Sequence, residues 1–284
     1  MTTIALALGA GGARGLAHIH VLEAFEDLGV SPSMIAGTSI GSIIGCARCA
    51  GMSGAEIKDF VLDRVSNRRR LLSDVFRTRP ANLETFFEEG GLRIAELNLE
   101  RILGVFLPPE LPPRFEDLKI PLKIAATDYF EQSTTVFESG HLLPAMAASS
   151  AIPAVFLPVE FGGHFYIDGS ATNPCPLDLV QGRADHVVAV DVSGGTQGQA
   201  FGRPNKIDAV YASNQLMQMS IVKHTAAKFP ETLLLRPPVD NFRSLDFLHA
   251  RQILEETKPL REKAKVEISR LLDDPPTDGR KQLT

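Results

Sequence analysis

The stretch that most constrains this chain is Gly37-Thr38-Ser39-Ile40-Gly41. A short apolar run, Met34 to Ala36, leads into it, and small and aliphatic residues from Ile40 to Ala50 lead out of it. In order, that reads as strand, sharp turn, helix. A serine on such a turn sits in strained backbone, and a Cβ two positions away on either side would collide with the turn or the helix, which explains the flanking Gly37 and Gly41. The helix behind aims its free N–H groups and the positive end of its dipole at the serine, favouring an alkoxide-like nucleophile and a developing oxyanion. Ser39 is the candidate nucleophile; the plainer alternative is a glycine-rich turn with an incidental serine.

The 284 residues, 44% hydrophobic and 22% charged, are enough for a sizeable core and ordinary for a soluble globular chain. A net charge of −5 gives no global case for nucleic acid or for an anionic membrane surface, so lipid contact would have to be local. No run of 18 uncharged apolar residues suggests a spanning helix, and the N-terminus lacks the basic region of a signal peptide. Cys46, Cys49 and Cys175 are too few and too unevenly placed for a disulfide framework, so a reducing cytoplasm is the expected compartment. Cys46-Ala47-Arg48-Cys49 falls inside the helix after Ser39 rather than at a helix start, which favours close packing over redox or zinc chemistry.

The chain begins with a buried strand, residues 3–8, that stops at Gly9-Ala10-Gly11-Gly12-Ala13-Arg14-Gly15. Leu16, Ile19, Leu22, Phe25 and Leu28 then follow at helical spacing, with Gly29 placed as a cap. A glycine loop between strand and helix can bind a dinucleotide, cradle a phosphate, or lend amides to a neighbouring nucleophile. The Gly-Lys-Ser/Thr of a phosphate loop is missing, and Arg14 occupies the place of a third dinucleotide glycine. The next strand ends in Gly37-Thr38-Ser39 rather than in an acid for a ribose, which fits the third use.

Residues 52–115 are the least readable: a basic stretch with Arg64, Arg68, Arg69, Arg70, Arg77 and Arg79, then Phe86-Phe87, Leu92 and a proline-rich piece. They read as a surface excursion or as a basic, greasy cap that meets lipid and gates the site. The α/β rhythm then resumes. A strand over 122–127 is followed by a hairpin partner over 134–138, a helix over 142–149 and a strand over 161–167 with Gly162-Gly163 at its start. Further strands are expected over 186–191 and 232–235, with helices over 207–228 and 248–272. Residues 1–272 are expected to form one domain, with 273–284 a loose tail.

A serine nucleophile needs a base. His224 and His249 come late in the chain but sit within helical patterns, and His18, His20, His141, His164 and His186 read as packing or surface residues. Asp168 is the better candidate: it ends a predicted strand, and Gly169 after it lets the carboxylate project above the sheet.

Gly9-x-Gly11-Gly12-x-Arg14-Gly15, Gly37-x-Ser39-x-Gly41, Ala148-Ser149-Ser150-Ala151-Ile152-Pro153 and Asp168-Gly169-Ser170, in this order, resemble the patatin-like phospholipase family. The likeness covers roughly residues 3–195 and is strongest to short bacterial members similar to the catalytic domain of neuropathy target esterase. It implies an α/β three-layer sandwich with a mostly parallel central sheet, and a Ser39–Asp168 dyad without histidine. It also implies oxyanion donors at the Gly11 and Gly12 amides, with Gly9, Arg14, Gly15, Gly37, Gly41 and Gly169 in support. Ala10 stands where some members have glycine, and Ser170 where most have Gly or Ala.

The expected activity is hydrolysis of lipid acyl esters, of the lysophospholipase or phospholipase A type, without metal or organic cofactor. The expected partner is a lipid or acyl-ester substrate, with peripheral contact at the inner face of a membrane and no nucleic acid. The alternatives keep the fold and change the use: a thioester or soluble-ester hydrolase, or a largely non-catalytic lipid- or protein-binding regulator.

Overall fold

The computed structural model describes residues 2–66, 99, 103, 107–108, 110–153, 155–195 and 206–274. Their frame is a mixed, mostly parallel sheet. Its central strands are β1 (Ile4–Leu8), β2 (Met34–Thr38), β3 (Leu122–Asp128), β7 (His186–Val190) and β8 (Leu233–Leu235), which run parallel in the order β3-β2-β1-β7-β8. β4 (Ser133–Phe137), β5 (Val159–Phe161) and β6 (His164–Ile167) add antiparallel pairings beyond β3.

Alternation along β1 decides what covers each face. Ile4, Leu6 and Leu8 enter the larger core, together with residues of α1 (His18–Asp27), α2 (Ile40–Ala50), α3 (Gly54–Ser66), α4 (Leu142–Ser149), α6 (Ala250–Thr257) and α7 (Pro259–Asp273). Ala5 and Ala7 face the other way with Ala36, where the small side chains admit Cys175, Leu177 and Val180 and, from α5 (Lys206–Ala227), Val222. Helices thus pack on both faces, as an α/β sandwich requires.

The site follows from how strands share β3. β4 pairs with residues 124–128 on one flank, which leaves the other flank to β2 over residues 122–125 and to β6 over residues 127–128. β2 runs parallel to β3 and β6 antiparallel, so the two point at each other along one flank. The residues that leave their facing ends are Ser39 and Asp168.

Two expectations need correction. Gly162-Gly163 does not open a single strand: both residues have positive φ, 61° and 82°, and form the turn between β5 and β6, as the left-handed backbone of a tight hairpin demands. The C-terminal helix is two helices, because Pro259 lacks an N–H and starts α7 after α6 ends at Thr257. Within the excursion, α3 packs Ile57 into the core and lays Arg64 over the Phe60 ring at 5.0 Å. Arg68 to Arg79, Phe86-Phe87, Leu92 and the tail beyond Asp274 lie outside the described residues.

Candidate active site

Ser39 has φ 54° and ψ −123°, a backbone conformation that costs a residue with a Cβ on the order of 1–3 kcal/mol. The close approaches around it explain the turn. A Cβ on Gly37 would meet the Gly41 carbonyl oxygen at 2.5 Å, and one on Gly41 would meet the Leu8 carbonyl oxygen at 2.1 Å. Only glycine at both positions lets β2 turn straight into α2 beside the end of β1.

Other groups hold the turn. The Ser39 N–H donates to Ser149 Oγ at 2.8 Å, and that hydroxyl donates to the Ala125 carbonyl at 2.6 Å, tying the turn through α4 to β3. The Ser42 hydroxyl donates to the Ser39 carbonyl at 2.6 Å, and Thr38 Oγ1 donates to the Asn173 carbonyl at 2.8 Å. Ser149 lies in the 148–153 motif, yet nothing in its sequence context separates it from Ser150 beside it.

Ser39 Oγ donates to Asp168 Oδ2 at 2.7 Å. Both residues are buried, 4% and 2% exposed. Burial pushes the Asp168 carboxyl above the ordinary aspartate value, while hydrogen bonds from Ser39 and from Ser170, whose N–H donates to Oδ1 at 2.8 Å, pull it partly back. Its own amide donates to the Ala151 carbonyl at 2.9 Å, and Thr127 Oγ1 donates to its carbonyl at 3.1 Å, so the strand end is fixed on both sides. Gly169 beside it lies so close to β3 that a Cβ would meet the Ala125 carbonyl oxygen at 2.2 Å.

The glycine loop lies against the same turn. Gly15 packs on Ile40, the residue after Ser39, at 2.3 Å from where its Cβ would be. The Gly9 N–H donates to Val190, Ala10 to Pro174 and Ala13 to the Ser244 carbonyl. Among the described residues no acceptor engages the Gly11 or Gly12 N–H. Gly12 has φ 58°, and a Cβ there would lie 2.0 Å from the Ser244 carbonyl oxygen, so the loop needs glycine at that point.

Arg14 is not a surface cation. Its Nε donates to the Gly11 carbonyl at 3.3 Å and its guanidinium to Ser244 Oγ at 2.8 Å. Burial lowers its pKa to about 10 against the raising charges of Asp240, Asp191 and Asp246, so it stays cationic at neutral pH and clamps the loop from beneath. Ser244 lies some 230 residues away in the chain, in a segment without regular pattern, and no sequence signal marks it.

The histidines read as packing residues include His18, which is fully buried behind the loop, with Nε2 donating to the Gly9 carbonyl at 2.8 Å. Burial pushes its pKa down to about 4, so it is neutral at pH 7. Cys46 and Cys49 are buried in α2, and burial lifts the Cys46 thiol to about 12. Among the described residues no three His, Cys, Asp or Glu side chains gather as metal ligands, and no helix is long and apolar enough to cross a membrane.

Residues 6–180, which include all four motifs, match the patatin-like phospholipase family. The chain belongs to that family. Patatin-like relatives include an NTE family protein of Mycobacterium tuberculosis, 32% identical over 225 residues, covering 79% of this chain and 58% of that one. Lysophospholipase NTE1 of Debaryomyces hansenii is 28% identical, covering 86% of this chain and 17% of its own. Human patatin-like phospholipase domain-containing protein 6 is 27% identical, covering 89% and 19%. The chain therefore spans somewhat over half the length of the mycobacterial relative and less than a fifth of the other two.

Proposed function

We propose that the protein hydrolyses acyl esters of lipids, of the lysophospholipase or phospholipase A type, with Ser39 as nucleophile and Asp168 as its base. The observation that carries this is the 2.7 Å hydrogen bond from Ser39 Oγ to a buried carboxylate, made by a serine in strained backbone at the N-terminus of α2. Ser39 Oγ attacks the ester carbonyl carbon while its proton passes to Asp168 Oδ2. The carbonyl oxygen becomes an oxyanion, received by the Gly11 and Gly12 amides and by the positive end of α2. As the bond to the alcohol breaks, Asp168 returns the proton to the leaving oxygen. Water then attacks the acyl-serine, giving one proton to Asp168 and, through it, back to Ser39.

Family membership and relatives named as lysophospholipases support lipid as the substrate. So does a cluster of exposed aromatic side chains, Tyr129, Phe130 and Phe165, at the carboxyl end of β3, which is also the end of β2 that carries Ser39. Peripheral contact with a bilayer through this end belongs to the same reading.

The test is fluorophosphonate labelling with the modified residue mapped by mass spectrometry, beside hydrolysis of a monoacyl phosphatidylcholine and of 4-nitrophenyl butyrate. Label on Ser39, greatly reduced in Asp168→Asn, and turnover of the lipid are the expected results. Turnover of the soluble ester alone would move the reading to a soluble-ester hydrolase, and folded protein that takes no label would sink the enzyme reading altogether.

A further inference from the structure

Ser170 and Gln218 take no part in the steps above, yet both are buried and stand in line behind Asp168. Gln218 belongs to α5, much of whose outer surface is exposed, including Val210, Tyr211, Leu216 and Met217. It turns the other way: its Nε2 donates to Ser170 Oγ at 3.1 Å, while one turn earlier Gln215 Nε2 donates to the Ser193 carbonyl at 2.9 Å. A buried amide costs stability unless it is paired, and an apolar side chain of the same size would pack there without that cost. The amide is therefore informative about what it holds.

What it holds is the hydroxyl of the residue whose N–H donates to Asp168 Oδ1 at 2.8 Å. Because Ser170 Oγ accepts from Gln218, its own proton is left to donate on the side from which the hydroxyl helps to draw the Asp168 pKa down. We propose that Ser170 and Gln218 are positioning residues for the Ser39–Asp168 pair. Gln218 orients the Ser170 hydroxyl toward Asp168, so that the Ser170 N–H and O–H together hold the carboxylate and leave Oδ2 to Ser39. This rests on the catalytic reading of that pair. Among the described residues the groups acting on Asp168 besides burial are Ser39 and Ser170, neither of them charged, so small neutral donors set its behaviour.

The experiment measures kcat and KM against pH for the full chain with 4-nitrophenyl butyrate, for wild type, Ser39→Ala, Ser170→Ala, Gln218→Ala, Gln218→Glu and the Ser170→Ala/Gln218→Ala double variant. Ser170→Ala removes a donor to a charged group, so kcat is expected to fall roughly fivefold to tenfold at nearly constant KM. Its acid limb is expected to move to higher pH, because the lost donor had favoured the ionised carboxylate. Gln218→Ala moves both in the same direction by less, and the double variant is no worse than Ser170→Ala, since both residues act through one hydroxyl.

Gln218→Glu separates positioning from packing. The carboxylate has the same size but takes the Ser170 proton for itself and places a negative charge behind Asp168. It should therefore fall below Gln218→Ala, whereas a packing role would give the reverse order. Wild-type kcat and acid limb in Ser170→Ala and Gln218→Glu, with native thermal melting and inactive Ser39→Ala, would overturn the positioning role and leave the dyad standing. Full hydrolysis by Ser39→Ala would overturn both. Should Ser170→Ala fold poorly, the two single Gln218 variants decide the matter.

Discussion

Two of the buried carboxylates, Glu23 and Asp168, stand in opposite surroundings. Glu23, on α1, meets Lys58 Nζ of α3 at 2.6 Å, Arg261 of α7 at 3.3 Å and His20 Nδ1 at 3.1 Å. Burial pushes its pKa up, but the hydrogen bonds from Lys58 and His20 and the charges of Lys58 and Arg261 outweigh it and hold the group below the ordinary glutamate value. Asp168 is as well buried, and among the described residues its carboxylate meets Ser39 and Ser170 alone, so burial wins and its pKa rises. Cations fix the first carboxylate in one protonation state and make it a pin between helices. Neutral donors leave the second able to take a proton, which is what the proposed base must do.

The largest expected effect is on activity, and it breaks the symmetry of the two sites. Asp168→Asn should lower kcat/KM by roughly a factor of 10² to 10⁴, the range for losing a positioned base, and Ser39→Ala by at least as much. Glu23→Gln should stay within about twofold of wild type, since buried ion pairs of this kind act on stability. Steady-state hydrolysis of 4-nitrophenyl butyrate measures all three, and a Glu23→Gln variant as damaged as Asp168→Asn would end that division of labour.

The Ser39–Asp168 half of that division is legible in the sequence, and the Glu23 half is not. Glycines two positions either side of Ser39 announced a turn that excludes a Cβ, and Gly37 and Gly41 do face carbonyl oxygens at short range. Asp168 was readable because a strand end followed by glycine is a local pattern. The groups that hold the site were not. Ser244 reaches Arg14 from 230 positions away, and Gln218 reaches Ser170 from the middle of a helix, so neither leaves a local signature. The β5–β6 hairpin is hard to read because Gly162-Gly163 falls within a strand-like run, whereas two consecutive positive-φ glycines make a turn. Pro259 was hidden inside an amphipathic pattern that continues across it, and only its missing N–H divides the helix.

The next effect is on stability. Glu23→Gln leaves Lys58 and Arg261 facing a neutral amide; both are about a third exposed, which discounts the loss to about 1–3 kcal/mol. At about 2–3 °C per kcal/mol for a chain of this size, the melting temperature should drop by about 2–9 °C at pH 7.5. A melting temperature equal to wild type would mean that the cluster is screened surface charge rather than a pin joining α1, α3 and α7.

The smallest effect has the opposite sign. Because the folded state raises the pKa of Asp168, folding favours its protonated form, and that advantage is lost as pH climbs from the unfolded value through the folded one. Above that window the ionised carboxylate is a cost to the fold. Asparagine keeps an acceptor for the Ser170 N–H and a group for Ser39, and carries no charge. Asp168→Asn should therefore melt about 2 °C above wild type at pH 8, with the gap closing as pH falls toward the ordinary aspartate range. Glu23 behaves the other way, since its pKa is lowered: its contribution is present above the unfolded value and disappears as pH falls through the folded one. Thermal melts of wild type, Asp168→Asn and Glu23→Gln across pH should show two differences of opposite sign that both close as pH falls, the first by the ordinary aspartate value and the second below the ordinary glutamate value. If Asp168→Asn melts lower than wild type at pH 8, the carboxylate is supporting the fold and helps to balance the strain placed at Ser39.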